Sequence, residues 1–575
     1  MATIFDIETD GIEATKVHCI GAWDTAEEEP RLFGPDALRD GLEFLSKASL
    51  IVGHSILTYD LPVLRRLLEY EPPAGVPLYD TLAAARFWFP DEDMAACDRK
   101  KEDFPKELFA RHSLAAWGNR LGVPKSQQPE DWSDYTEEMG AYCLRDLHTT
   151  RALYMTLLAQ DLPSEALSME QRFFVLCSKI RNVGVPFDTP AAEKLRKSLM
   201  RERAKQTDEV QSLCSGWVEE YETPKKKLKR TREIPFNPRS RQHVARFLTD
   251  LGWKPRQFTE TGLPKVDEKT LQEAADRIPQ AAKFSDLLVL QKRLGQLAEG
   301  EQALLKHVTD AGRIHGYISH NGACTTRCTH SRPNLAQVPR DGKPYGGEFR
   351  DLFRPPQGVF VGADQKGLEL RTLAHYLVPF GGEEYIKVVT EGDPHAMNQK
   401  ILGLADRSLA KTFIYALIYG ASDRRLGSVV HGGAKEGRAM RAAIQNGIPG
   451  LGQLVAAVQR RVKQTGKLKA LDGRSLRVRS EHSALNTLLQ SGGSLLMKMF
   501  AILVDEYLSE HHQGVARIVL QVHDEIQIEV LDPKVAEDIK VAVEEITIEK
   551  VPAPFGFRCP LSCDVKIGKA WRQTH

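Results

Sequence analysis

The chain has 575 residues, 42% hydrophobic and 27% charged, with a net charge of +1. That length is far more than one hydrophobic core serves and suggests about three or four folding units. The near-neutral balance excludes a globally basic nucleic-acid binder, so any such footprint must be local.

No apolar run reads as a bilayer span, so no membrane association is expected. The early acids Asp6 and Glu8 argue against a leader segment. Nine scattered cysteines suit a reducing cytoplasm. Cys324/Cys328 and Cys559/Cys563 have three-residue gaps without a convincing histidine partner, so they read as small structural residues rather than a zinc site.

Residues 1–160 alternate strand-like and helix-like stretches, as an α/β sheet domain does. In FDIETDG, strand alternation turns Asp6 and Glu8 to the same face. Two such carboxylates repel, and a hard divalent cation such as Mg²⁺ relieves the repulsion through oxygen ligands. Further acids follow at Asp60 (GHSILTYDLPVL) and Asp146 (YCLRDLHTT). Tyr142 lies four residues before Asp146 on one helical face, placed to orient an attacking water. Alone, Asp60 or Asp146 is better read as a cap or surface charge. The D-x-E strand followed by both motifs in order outweighs that reading.

From about 165 to 310 the sequence is helical and charged, interrupted by the basic run KKKLKRTR (225–232) and the loop-like IPFNPRSR. Next, an apolar strand in GVFVGADQKGLELR leads into Asp364. Between Arg407 and Gly420 a helix would carry Arg407, Lys411, Tyr415 and Tyr419 on one face, two cations and then two aromatics. Cations suit a triphosphate and an aromatic suits a base or sugar. Finally, IVLQVHDEIQIEV alternates as a half-buried hairpin around His523-Asp524-Glu525. An aspartate ending one strand and another in a hairpin turn can meet on a sheet and hold the two metals of nucleotidyl transfer.

These motifs carry two resemblances. Asp6, Glu8, Asp60, Asp146 and Tyr142 resemble the DEDDy 3′→5′ exonucleases. Asp364–Arg371, Arg407–Gly420 and His523-Asp524-Glu525, with TTRCTHSRPNLAQVP (325–339) and LDGRSLRVRSEHSALNTLLQSGG (471–493), resemble family A DNA polymerases, in particular replicases of T-seven-like bacteriophages. The likeness implies an α/β multidomain chain: a ribonuclease-H-like exonuclease domain (1–160), linker helices and thumb (161–315), palm (316–395), fingers (396–482) and palm again (483–575). It implies template-directed DNA synthesis with proofreading, in phage genome replication inside a bacterial cytoplasm. The alternatives are a repair-type polymerase and a predominantly exonuclease protein.

The likeness also implies residue roles. Asp364 and Asp524 would hold two Mg²⁺ ions, and Asp6, Glu8, Asp60 and Asp146 another two, with Mn²⁺ as a substitute. Lys411, Arg407 and His395 would contact the triphosphate, with Tyr415 and Tyr419 beside it. Lys411 would also protonate the leaving pyrophosphate, and Glu369 would exclude a 2′-hydroxyl. Arg327, Gln337, Gln490 and His523 would read primer-template DNA on its minor-groove side, and Asn334 would also bind DNA. The implied partners are primer-template DNA, dNTPs and a replicative helicase-primase. Thioredoxin is not expected, because the thumb insertion that recruits it is missing between Trp217 and Phe236. Two departures stand out: Lys366 where a small serine is usual, and Thr-Thr-Arg-Cys where Thr-Gly-Arg is usual.

Overall fold

The computed structural model describes residues 2–125, 127–222 and 229–575. Its N-terminal part is a five-stranded sheet of order β3-β2-β1-β4-β5, formed by β1 (Ala2–Thr9), β2 (Val17–Asp24), β3 (Arg31–Phe33), β4 (Leu50–Gly53) and β5 (Leu78–Asp80). The central strand β1 is antiparallel to β2 and parallel to β4. Ile4, Phe5 and Ile7 are buried, which fixes the register that presents Asp6 and Glu8 together. Helices α1 (Asp60–Leu68), α2 (Thr81–Trp88), α3 (Asp91–Asp98) and α4 (Glu137–Leu158) surround the sheet. Asp80 caps α2 by accepting from Leu82 N and Ala83 N, and Thr136 caps α4 by accepting from Met139 N.

Helix α5 (Ser164–Val183) leads to α6 (Thr189–Gln211), a hairpin of strands Gly216–Glu222 and Lys229–Pro235, and later α7 (Gln280–Leu294). This part has its own core around Phe236, Phe247 and Phe284. The second half of the basic run 225–232 and the first two residues of the segment read as loop-like, Ile234 and Pro235, form a strand. Register explains this: Glu219 lies opposite Arg232, and the two pair at 3.0 Å. Lys225, Lys226 and Lys227 lie outside the described residues.

The C-terminal part is built on four antiparallel strands of order β7-β8-β6-β9: β6 (Val359–Gln365), β7 (Ala516–Val522), β8 (Glu525–Val530) and β9 (Cys563–Gly568). Around them lie α8 (Leu368–Leu377), α9 (Pro394–Leu402), α10 (Arg407–Ile418) and α11 (Ala484–His511). The expectation that no apolar run could span a bilayer is overturned in length and composition. Glu481–His511 is long and apolar enough, yet 89% of its most apolar stretch is buried within the protein. Burial on nearly all sides accounts for an apolar helix without a polar face. Gly492 lets α11 approach α8: a Cβ there would meet Thr372 Cγ2 at 2.4 Å.

Between these parts lies a buried charge cluster. Glu170 of α5 has no exposed surface. It accepts from Lys498 Nζ of α11 at 2.7 and 3.0 Å and from His320 Nδ1 at 2.7 Å, and it pairs with Arg474 at 2.7 Å. Burial alone would raise Glu170, but Lys498 and Arg474 hold it well below its ordinary value. Burial pushes His320 down to about 4 and His54 down to about 3.

Between about pH 6.5 and 4 the unfolded chain therefore binds more protons at these histidines than the folded one, and stability falls as pH drops through that window. Glu170, depressed in the folded state, keeps its contribution above its ordinary value of 4.5 and loses it only at lower pH. Raised carboxyls at Glu8, Asp60, Asp364 and Asp524 act in the opposite sense, so the check is relative: between pH 7 and pH 5 the denaturant midpoint should fall less, or rise more, in His54→Gln than in the native protein. Glu170→Ala, which strands two buried cations, should cost about 3–5 kcal/mol at pH 7.

Candidate active sites

The first acidic cluster forms where α1 and α4 meet β1. Asp60 opens α1, and its Oδ1 accepts from Ile7 N, the amide between Asp6 and Glu8, at 3.3 Å. Asp146, on α4, is 4% exposed. Its Oδ2 pairs with Lys125 at 2.5 Å, while its buried Oδ1 has no hydrogen-bond partner. Burial, reinforced by Asp60 and Glu8, pushes Asp6 well above the carboxylate range. Burial and the Asp146 charge push Glu8 up to about 9, and burial pushes Asp60 up to about 7.

The cluster is thus under-neutralised, and its orphaned oxygen suits a hard divalent cation. All five residues expected here converge. Tyr142 is buried on α4, with Gln128 Nε2 donating to its hydroxyl at 3.4 Å and the Lys125 ammonium 4.6 Å from its ring centroid. Cys143 adds a thiol whose sulfur lies within 4.8 Å of the Asp6 and Glu8 ligand oxygens.

The second cluster lies at one end of the C-terminal sheet. Asp364 of β6 sits opposite Glu525 of β8 and Asp564 of β9. Gln365 N donates to Asp524 O at 2.9 Å, which fixes the turn beside the strand end. Burial and the Glu525 charge raise Asp364 to about 6; burial and Glu369 raise Asp524 to about 7. Ligand atoms of Asp364, Glu525 and His575 lie within 4.8 Å of one another. Glu525 is held by Gln527 Nε2, Trp571 Nε1 and His575 Nδ1. His523 occupies a left-handed backbone conformation, φ +54°, in the turn before Asp524.

Arg327 Nη2 and the Tyr419 hydroxyl both donate to Glu369 Oε1, at 3.1 and 3.2 Å. Arg327, His523 and Asp524 line one small cavity with Lys498. Along α10, Arg407 and Lys411 are exposed and Tyr415 half-buried, with Tyr419 capping the end, so the face expected from i+4 spacing forms. Burial, with the Glu369 charge, raises Tyr415 to about 12. Its ring lies 5.9 Å from that of His395. Arg407 pairs with Asp393 through two hydrogen bonds of 2.7 and 3.0 Å. Lys366 pairs with Asp564 at 3.3 Å.

Asn334 and Gln337 are not part of either acidic cluster. They line a cavity of about 400 Å³ with Lys292 and Gln296, between α7 and the segment 333–339. Gln490 is half-buried on α11. Sequence reasoning missed Lys125, Cys143, Glu525 and His575 as site members. Glu525 was legible as the neighbour of Asp524; Lys125 had no signal of its own.

The chain matches the DNA polymerase family A model over residues 207–573. It is 30% identical over 707 aligned positions to the DNA-directed DNA polymerases of Enterobacteria phage T3 and Escherichia phage T7, with the whole of each chain covered. It superposes on the POL domain of Pol1 from M. smegmatis, solved with DNA primer-template and dNTP, with a TM-score of 0.74. That likeness covers 100% of this chain and 95% of the other at 18% identity, and so bears on fold alone.

Raised carboxyl values at both clusters mean that protons compete with a divalent ion. Divalent-ion affinity should weaken as pH falls from 8 to 6, because Asp364, Asp524, Asp60 and Glu8 take up protons. Mn²⁺ titration followed by electron paramagnetic resonance at several pH values measures this, and a pH-independent affinity would contradict it.

Proposed function

The chain belongs to DNA polymerase family A, and from that premise we propose that it is a replicative DNA polymerase with a 3′→5′ proofreading exonuclease, each activity at its own acidic cluster. The observation that carries this reading is that Asp364, opposite Glu525, ends its strand beside the turn that holds Asp524, apart from a second carboxylate set on β1. We assign the exonuclease to 1–160, linker helices and thumb to 161–315, palm to 316–395 and 483–575, and fingers to 396–482. When bound, Mg²⁺ ions, two per centre or Mn²⁺ in their place, supply the charge neutralisation and nucleophile activation that both reactions need.

The chain's own residues do the rest. Asp364 and Asp524 present carboxylates to the reacting 3′ end. Lys411 meets the triphosphate and gives a proton to the departing pyrophosphate. Arg407 joins it by exchanging Asp393 for phosphate, and His395 lines the same face. Glu369, fixed by Tyr419 and Arg327, closes the space beneath the sugar against a 2′-hydroxyl. Arg327, His523, Gln490 and Gln337 meet the minor-groove edge, where pairs of either orientation offer acceptors, and Asn334 also binds the DNA. In the other centre, Tyr142 orients water toward the scissile phosphate beside Asp6, Glu8, Asp60 and Asp146.

Primer-template DNA and dNTPs are the substrates, and a helicase-primase of the same replisome is the partner. We propose that synthesis proceeds without thioredoxin. The alignment with the phage enzymes runs over 707 positions against 575 residues here, so those relatives carry residues without a counterpart in this chain.

Primer extension with and without dNTPs tests both activities on one gel. Asp524→Ala should lower extension by about 100-fold or more while leaving single-strand degradation largely intact. Asp6→Ala with Glu8→Ala should do the reverse. Normal incorporation by Asp524→Ala would falsify the assignment.

Sugar selection offers a separate check. The Tyr415 hydroxyl can occupy the polar vacancy left by a missing 3′-hydroxyl, which a phenylalanine leaves unsatisfied. Wild type should therefore use ddNTPs nearly as well as dNTPs, and Tyr415→Phe should discriminate strongly. Competition assays read the ratio, and equal ddNTP use by both proteins would remove Tyr415 from this role.

A further inference from the structure

Residues 319–327 are tied to the N-terminal unit by four hydrogen bonds. Ser319 Oγ donates to Asp91 Oδ2 at 2.5 Å, and Asn321 Nδ2 donates to Arg86 O at 2.7 Å. Glu92 N donates to Gly322 O at 3.0 Å, and Cys324 N donates to Glu92 Oε2 at 3.1 Å. Arg479 pairs with the other Glu92 oxygen, closing the tie from the side of the 467–477 hairpin. None of these residues belongs to either acidic cluster.

The tied segment holds a strained residue. Thr326, at the position where the family usually has glycine, has φ +62°. A β-branched side chain is a steric outlier in that left-handed region, and glycine is at ease there. Thr326 N donates to Ala323 O at 2.9 Å, and Ala323 N donates to Arg327 O at 3.1 Å, so the turn closes on Arg327. On its far side, Ser494 Oγ of α11 donates to Thr326 O at 2.9 Å, and Thr326 Oγ1 lies 3.3 Å from Ser491 Oγ. Arg327 leaves this turn to reach Glu369, beside Asp524.

Strain of this kind persists only where the surroundings over-determine the backbone. Here the surroundings are α11 on one side and the N-terminal unit on the other. We infer that Glu92, a residue of the exonuclease unit, is a positioning residue for DNA synthesis. Glu92 braces the 323–327 turn by accepting from Cys324 N and donating to Gly322 O, with the exposed Arg479 pair adding little, and so holds Arg327 at the primer terminus. The inference rests on the proposed role of Arg327. A brace of this kind makes extension depend on the exonuclease unit even when that unit is hydrolytically silent.

The test uses the full chain. Single-nucleotide turnover is measured in an Asp6→Ala, Glu8→Ala background, and single-strand degradation in the otherwise native protein. Glu92→Ala should lower turnover on matched primer ends by about tenfold, and it should narrow the preference for matched over mismatched ends. Degradation should stay within about twofold of native, since no cluster residue is touched. Glu92→Gln, which keeps an acceptor for Cys324 N, should retain most of the turnover. Thr326→Gly, which removes the strain, should restore much of it to Glu92→Ala.

A merely structural contact would lower both activities together and would not respond to Thr326→Gly. That pattern, or native turnover in Glu92→Ala, overturns the inference. An Arg327→Ala arm separates the two readings. Unchanged turnover in Arg327→Ala rejects the primer-terminus role itself, whereas loss there with native turnover in Glu92→Ala rejects only the brace.

Discussion

Two neighbouring residues of α5 hold the halves of this protein in register. Gln171 accepts from Asp80 N at 2.6 Å and donates to Leu78 O at 3.1 Å, fastening the helix to the edge strand of the N-terminal sheet. Glu170, one position earlier, is the buried anion around which Lys498, Arg474 and His320 gather. Taking such charges out of water costs several kcal/mol per ion, and the cost is offset only when every partner is in place. The cluster therefore admits one arrangement of α5, α11, the 467–477 hairpin and the strand before His320. Lys498 also lines the cavity of Arg327, His523 and Asp524, so the arrangement reaches the second acidic cluster directly.

The two acidic centres solve one electrostatic problem differently. Each gathers carboxylates in partly desolvated surroundings, where burial and mutual repulsion favour protonation. The N-terminal centre keeps an internal cation, Lys125, against Asp146 and beside the Tyr142 ring. The C-terminal centre has Arg327, paired with Glu369 near Asp524, while Glu525 is stabilised by neutral donors and His575. Arg407, expected to face phosphate, is paired with Asp393. Exposed pairs of this kind are weak, so the guanidinium can exchange partners when a polyanion arrives.

Strand alternation made Asp6, Glu8 and Asp364 legible in the sequence, and the i+4 face of α10 was legible because one helix carries Arg407, Lys411 and Tyr415 and ends at its cap, Tyr419. Contacts between distant segments were not. Lys125 reaches Asp146 only because the sheet packs α4 against the loop after residue 121, and nothing in LGVPK signals that. The 28-residue α11 lacks a polar face because it is buried nearly all round, so composition by itself could not tell it from a membrane helix. The departure at Thr326 was visible as a motif mismatch. Its meaning needed the backbone angle.

Strand order also sets the sequence in which a growing chain can assemble these centres. The N-terminal sheet is complete by Asp80, and its last helix by Leu158. Strand β6 carries Asp364, but both its neighbours, β8 and β9, come from residues after 524. Domains generally fold as units, N-terminal first, during synthesis. A ribosome thus releases the first carboxylate cluster early and the second last, with the apolar α11 awaiting its cover in between.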